Sequence, residues 1–152
     1  MSRVSKQVDG VDFTLRLGHT IKRAEQALIG EKSKALRDLD LTVPQYAVLM
    51  AVSQSPGMSG AQLARACMVT PQSMNTVLVN LENKALIDRS TTELHLKMLI
   101  VALTPAGRTL VEVADQRARS VEARLTASLS GQEQDQLRDL LERCITALQG
   151  PG

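Results

Sequence analysis

The stretch Ser59–Gly107, SGAQLARACMVTPQSMNTVLVNLENKALIDRSTTELHLKMLIVALTPAG, constrains the fold more than any other part of the chain. It reads as a helix, a tight turn, a second helix, two apolar runs around a polar tip, and the start of a further helix. That order is a winged helix-turn-helix, whose second helix commonly lies in the major groove of DNA. Here the second helix, Pro71 to Leu81, contains no Lys or Arg, so charge alone does not assign it to DNA.

Helix starts are written into the sequence. Thr42-Val-Pro-Gln45, Ser59-Gly-Ala-Gln62 and Ser130-Gly-Gln-Glu133 fit the capping box, in which a hydroxyl accepts from an orphan backbone N–H and the Gln or Glu reaches back. Thr70-Pro71 and Thr104-Pro105 put a capping hydroxyl before a proline at the first helical position, where the missing N–H is no loss. These signals predict helices near 43–54, 60–67, 71–83, 105–127 and 131–148. Apolar residues at Leu17, Ile21, Ala24 and Leu28 predict an earlier helix from Phe13 to about Leu36, with Asp12 as its N-cap and Gly18 and Gly30 interrupting it. Leu86–Arg89 and Lys97–Leu103 read as strands joined by a tip at Ser90–Leu96. The run KMLIVAL is apolar on both faces, so part of it should pack beneath the helices. The fold class is mainly α with a small two- or three-stranded β wing, in one domain over residues 1–152.

The 152 residues include only two aromatic side chains, Phe13 and Tyr46, so aliphatic and Met side chains must fill the core. The net charge of +2 is compatible with nucleic acid but is no strong footprint. Between Thr70 and Thr104, Lys84, Arg89 and Lys97 are balanced by Glu82, Asp88 and Glu93. Cys67 and Cys144, with an N-terminus that lacks the apolar core of a secretory signal, point to free thiols in a reducing cytoplasm. No apolar run approaches the length of a membrane span. Widely separated His and Cys residues give no metal-ligand spacing, and no phosphate loop or nucleophile motif is present. The expectation is no metal, no cofactor and no enzymatic activity.

In the 71–83 helix, Met74, Val77, Leu78 and Leu81 form one buried face. Gln72, Ser73, Asn75, Thr76 and Asn80 fall on the other, as amides and hydroxyls able to bond base edges or phosphates. The helix N-terminus, from Thr70 through Pro71 to Ser73, offers the backbone N–H groups that follow the proline and a dipole suited to phosphate. Two C-terminal helices carry apolar stripes, Leu110, Ala114, Ala118, Val121 and Leu125 on one and Leu137, Leu141, Cys144 and Leu148 on the other. Such stripes with no further chain to cover them suggest a partner surface.

From about Phe13 to Leu148 the chain resembles transcription factors of the MarR type (multiple antibiotic resistance regulator). The resemblance is densest at LTVPQYAVLMAV, AQLA, VTPQSMNTVLVNLENKALIDR and VALTPAGRTL. It implies a homodimer on a palindromic double-stranded DNA operator, with residues 71–83 as recognition helix and Ser90–Lys97 as wing. Residues 12–38 and 105–148 would form the dimer layer around a DNA-binding lobe at 42–104. Repression relieved by a small lipophilic or phenolic effector, or by thiol oxidation, is the implied mode of action. The implied effector pocket would hold His19, Tyr46 and Met50. The sequence also departs from the family pattern. Thr76 and Asn80 stand where recognition helices usually carry Arg. His95-Leu96-Lys97 stands where the wing usually has Asp-Arg-Arg, which puts Leu96 at the minor-groove Arg. Ala85 replaces a common Gly. Each missing cation removes a counterion-release contribution, leaving Arg89, His95 and Lys97 as wing contacts. Two other readings stand beside the regulator: a winged-helix protein-interaction module with weakened DNA binding, and a thiol switch at Cys67.

Overall fold

The computed structural model describes residues 12–91 and 98–150. Its elements run α1 (Leu17–Leu36), α2 (Val43–Gln54), α3 (Gly60–Ala66), α4 (Pro71–Asn83), β1 (Ile87–Thr91), β2 (Leu99–Leu103), α5 (Pro105–Ala127) and α6 (Gly131–Gln149). All three capping boxes form. At α2, Thr42 Oγ1 accepts from the Gln45 N–H at 3.2 Å while Gln45 Oε1 accepts from the Thr42 N–H at 3.1 Å. Ser59 with Gln62 and Ser130 with Glu133 repeat the exchange. Thr70 and Thr104 cap α4 and α5 ahead of their prolines.

Two boundaries differ from the sequence reading. Asp12 caps only a single 3-10 turn, Phe13–Leu15, and Arg16 then adopts an extended conformation, so α1 begins at Leu17 without a side-chain cap. The apolar stripe carried no sign of this break, because Phe13, Leu15 and Leu17 are all exposed. The first hairpin arm also runs past its apolar run, to Thr91, while the second begins at Leu99. Ser90 pairs with Ile100 and Thr91 with Leu99, since backbone pairing on an exposed ribbon needs no apolar side chain and Thr suits a strand. Before α3, the Met58 carbonyl accepts from the Val101 N–H at 2.9 Å and Ser59 bridges Ile100, adding a short third edge to the antiparallel pair.

The core lies inside the lobe formed by α2, α3, α4 and the hairpin, closed by the end of α1 and the first half of α5. Leu36, Leu49, Leu63, Met74, Leu78, Leu81, Ile87 and Val101 are buried there. It is aliphatic and Met-lined as the composition requires. Of KMLIVAL, Val101 goes beneath the helices, while Met98 and Leu99 remain exposed. Along α5 the chain's second layer is laced by charge. Lys32 reaches Glu122 at 2.7 Å, Arg124 reaches Glu31 at 3.1 Å, and Arg117 pairs with Asp38. Exposed pairs of this kind contribute at most about 1 kcal/mol each, so they fix the register of α1 on α5 rather than supply its stability.

Three corners share one device. After α1 and its terminal 3-10 turn, after α3 and after α4, the chain turns through a left-handed residue: Asp40 at φ 53°, Met68 at φ 57° and Ala85 at φ 58°. Each corner has the paired bonds of a Schellman cap. At α4 the Leu86 N–H bonds the Leu81 carbonyl at 3.0 Å and the Ala85 N–H bonds the Glu82 carbonyl at 2.9 Å. None of the three is glycine, the residue that adopts this conformation freely.

Past the α4 corner, the chain crosses the start of α5 at close range. The Thr104 N–H bonds the Leu86 carbonyl at 3.1 Å, and Thr104 Oγ1 donates to the Ala85 carbonyl at 2.7 Å. Gly107 is buried against the same strand exit, where a Cβ would lie 2.1 Å from the Leu86 carbonyl oxygen. Gly107→Ala is therefore expected to lower stability by about 2–3 kcal/mol, as forced overpacking against backbone does. Gly30, with nothing within 4 Å of an added Cβ, should gain about 0.5–1 kcal/mol as Ala. Thermal or urea denaturation of both variants checks the contrast.

Candidate nucleic-acid interface

The recognition surface begins at the N-terminus of α4. Thr70 Oγ1 accepts from the Ser73 N–H at 3.1 Å and donates to Ser73 Oγ at 2.9 Å. One turn on, the Thr76 hydroxyl donates to the Gln72 carbonyl at 3.4 Å, so its lone pairs face outward. Met74, Leu78 and Leu81 are buried and Val77 is half-buried, which turns Gln72, Ser73, Asn75, Thr76 and Asn80 to solvent. Thr70 and Pro71 are exposed with them. Among the described residues, the side chains of Gln72, Asn75 and Asn80 carry no hydrogen bond, which leaves donors and acceptors in one exposed row.

Two cations beside the end of this row are engaged elsewhere. Arg89, on β1, folds back onto the last turn of α4 and pairs with Glu82. Lys84 donates to Gln45 Oε1 at 3.2 Å and pairs with Asp40 at 3.5 Å. His95 and Lys97, expected at the wing tip together with Leu96, lie outside the described residues. Neither Glu82 nor Asp40 was singled out from the sequence. The Glu82–Arg89 spacing of seven residues signals nothing until the left-handed turn at Ala85 brings the two together.

The three residues assigned to an effector pocket fall in two places. Tyr46 and Met50 lie one turn apart on α2, both half-buried. Tyr46 Oη donates to Asp115 Oδ1 on α5 at 2.8 Å, and the other Asp115 oxygen meets Arg119 Nε at 3.1 Å. Burial, and then the Asp115 carboxylate, push the phenol well above its ordinary value, so it stays a donor. His19 sits apart, in the first turn of α1, with its ring edge-on to Phe13 at 5.2 Å. Asp115 is 69 positions from Tyr46, a pairing no local pattern could reveal.

A separate groove of about 650 Å³ runs between α1, α5 and α6. Ile21, Ala24, Leu28, Val121, Leu137 and Leu141 supply much of its apolar wall. None of His19, Tyr46 and Met50 lines it. Of the stripe residues read as a partner surface, Ala114 and Val121 are covered by the chain itself, and Leu110 and Cys144 are half-buried. Leu137, Leu141 and Leu148 are exposed. So are Leu140 and Ile145, which the stripe omitted, and α6 has no buried residue.

Cys67 forms the C-cap of α3 and is half-buried, and burial raises its thiol above the ordinary value. That keeps it in the less reactive protonated form. Among the described residues no three His, Cys, Asp or Glu side chains gather as a metal site, and no helix is long and apolar enough to cross a membrane.

Comparison with known proteins bears on this geometry. A profile described as the MarR family matches residues 39–96. The HTH-type transcriptional repressor Rv2887 of Mycobacterium tuberculosis is 39% identical over 84% of this chain and 91% of its own length. The chain belongs to the MarR family. The crystal structure of Rv2887 in complex with DNA superposes with a TM-score of 0.69 at 38% identity, over 86% of this chain and 98% of that one. Its complex with salicylic acid gives 0.67 at 39% identity, over 85% and 96%. This MarR-family chain is thus a winged-helix regulator by sequence and by fold.

One of the strained corners of this MarR-family lobe lies at the root of its wing. Ala85 occupies the left-handed corner where α4 meets β1, at φ 58°, and a side chain there costs about 1–2 kcal/mol over glycine. Glycine returns part of that cost by loosening the unfolded chain. Ala85→Gly is expected to raise stability by about 1 kcal/mol, read as a higher denaturation midpoint with an unchanged m-value.

Proposed function

We propose that this chain is a cytoplasmic, homodimeric repressor that binds a palindromic double-stranded DNA operator and is released by a small lipophilic or phenolic effector. The observation that carries the reading is the exposed row Gln72, Ser73, Asn75, Thr76 and Asn80 on α4, with unengaged amides and a capped, Pro-started N-terminus. Such groups suit base edges and phosphates in a major groove. Rv2887, a transcriptional repressor with structures in complex with DNA and with salicylic acid, supports the same assignment by relationship.

A second copy is the natural occupant of the groove between α1, α5 and α6. The exposed apolar residues Leu137, Leu140, Leu141, Ile145 and Leu148 continue from it along α6. A helix of 19 residues with no buried side chain gains little by itself and needs a partner surface. Two copies joined there would present two recognition helices about 34 Å apart, one DNA turn. The effector would act at the Tyr46 and Met50 end of α2, where Asp115 ties the DNA-binding lobe to the long helix α5.

One observation favours a second reading, a winged-helix module that docks on another protein. Lys84 and Arg89, which sit at the C-terminal end of α4 and on β1 beside it, are both neutralised by internal carboxylates.

Fluorescence anisotropy with DNA from upstream of the chain's own gene, against scrambled competitor, separates the two. The regulator reading expects specific binding with a log–log salt slope shallower than about −5, because fewer phosphates are neutralised than in a typical site. No preference over scrambled DNA at any salt sinks it, and a stoichiometric protein partner on purification would favour the second reading. For the dimer, light scattering should give twice the 16.5 kDa chain mass, and Leu141→Glu should shift it towards the single chain. A wild-type protein that scatters as a monomer at micromolar concentration removes that part of the proposal.

A further inference from the structure

The pairing of Glu82 with Arg89 has a sharper meaning than wing support. Glu82 sits in the last turn of α4, where the helix dipole disfavours a negative charge. Arg89 sits mid-strand on β1, and its Nε–H and one Nη2–H both converge on Glu82 Oε1. The guanidinium side chain is only 20% exposed, so it is folded against the lobe rather than extended towards the solvent beside the recognition row. Among the described residues, Lys84 is likewise held, by Asp40 and Gln45 on the far side of the same corner, while Arg65, in the last turn of α3, stays exposed. The exposed amides of α4 are left as an almost neutral reading surface.

We propose that Glu82 sets the DNA affinity of this chain by withholding Arg89 from the phosphate backbone. The role rests on the DNA-binding reading above and deepens it. A guanidinium chelated by a carboxylate releases no DNA counterion. Freed from Glu82, the same group becomes a phosphate ligand and adds one counterion-release contribution. Glu82 thus favours sequence readout through the polar row over general adhesion to the duplex, and it does so without touching DNA.

The test is anisotropy on both a generic duplex and the upstream DNA, across 50 to 200 mM salt, for the wild type, Glu82→Gln, Glu82→Ala and the double variant Glu82→Gln/Arg89→Gln. Freeing Arg89 should steepen the log–log slope by about 0.9, which is a further loss of about 3- to 4-fold in affinity across that salt range. It should also tighten binding at the low-salt end and narrow the preference for specific over generic DNA. Glu82→Ala, which removes the acceptor as well as the charge, should move in the same direction, and circular dichroism melting of each variant confirms that a folded protein is compared. The double variant should return to the wild-type slope. Equal slopes for the wild type and both single variants would overturn the proposal. So would a gain that survives in the double variant, since it would then come from the lost negative charge and not from Arg89. A wild-type protein that binds no duplex at any salt is a different failure: it removes the regulator reading and takes this role with it.

Discussion

The close crossing of Leu86 and Gly107 is the constraint on which the rest of the molecule depends. A carbonyl oxygen sits where any Cβ at 107 would be, and Thr104 clasps the same two residues, Ala85 and Leu86, with its backbone N–H and its hydroxyl. Those residues are the exit of α4 and the root of the wing, while Thr104 and Gly107 are the entrance of α5. One knot of four residues, Ala85, Leu86, Thr104 and Gly107, therefore fixes the reading helix, the hairpin and the long helix of the second layer relative to one another. Leu81, Leu86, Ile87 and Val101 are buried around it and anchor it to the core of the lobe.

Much of this was legible in the sequence, because caps and proline positions act locally. Thr42, Ser59, Thr70, Thr104 and Ser130 announce five helices, and all five start there. The buried and exposed faces of α4 follow from spacing alone. The break at Arg16 did not show, because an exposed segment leaves no burial pattern to interrupt. Nor did the extra pairs at Ser90 and Thr91, where backbone groups do the work. For the candidate site the division is similar. The exposed row on α4 could be read residue by residue, whereas Tyr46 with Asp115, Arg89 with Glu82 and Lys84 with Asp40 could not. Each of those pairs exists only once a corner or a layer contact has brought distant positions together.

Charge on this molecule is arranged to be used internally. Basic side chains lace α1 to α5 through Lys32, Arg117 and Arg124, and Lys84 and Arg89, beside the end of the reading helix, close corners of the lobe. Each such pair cancels one positive and one negative group, so the net charge of +2 stands, but Lys84 and Arg89 bring little of it to the reading surface. What remains at the reading surface is hydrogen-bonding capacity on a rigid, well-capped helix, which discriminates through geometry more than through attraction.

Asp40, Met68 and Ala85 have a consequence for how the lobe deforms. Helices α2, α3 and α4 are well capped, yet the corners at Met68 and Ala85 are bent through a conformation their own side chains resist. Such a frame is stiff along its rods and tense at its hinges. At Ala85 the bend is clasped by Thr104, which holds the tilt of α4 against its neighbours. That tilt sets the direction in which the polar row points, and a small twist at the Ala85 hinge re-aims all of it at once.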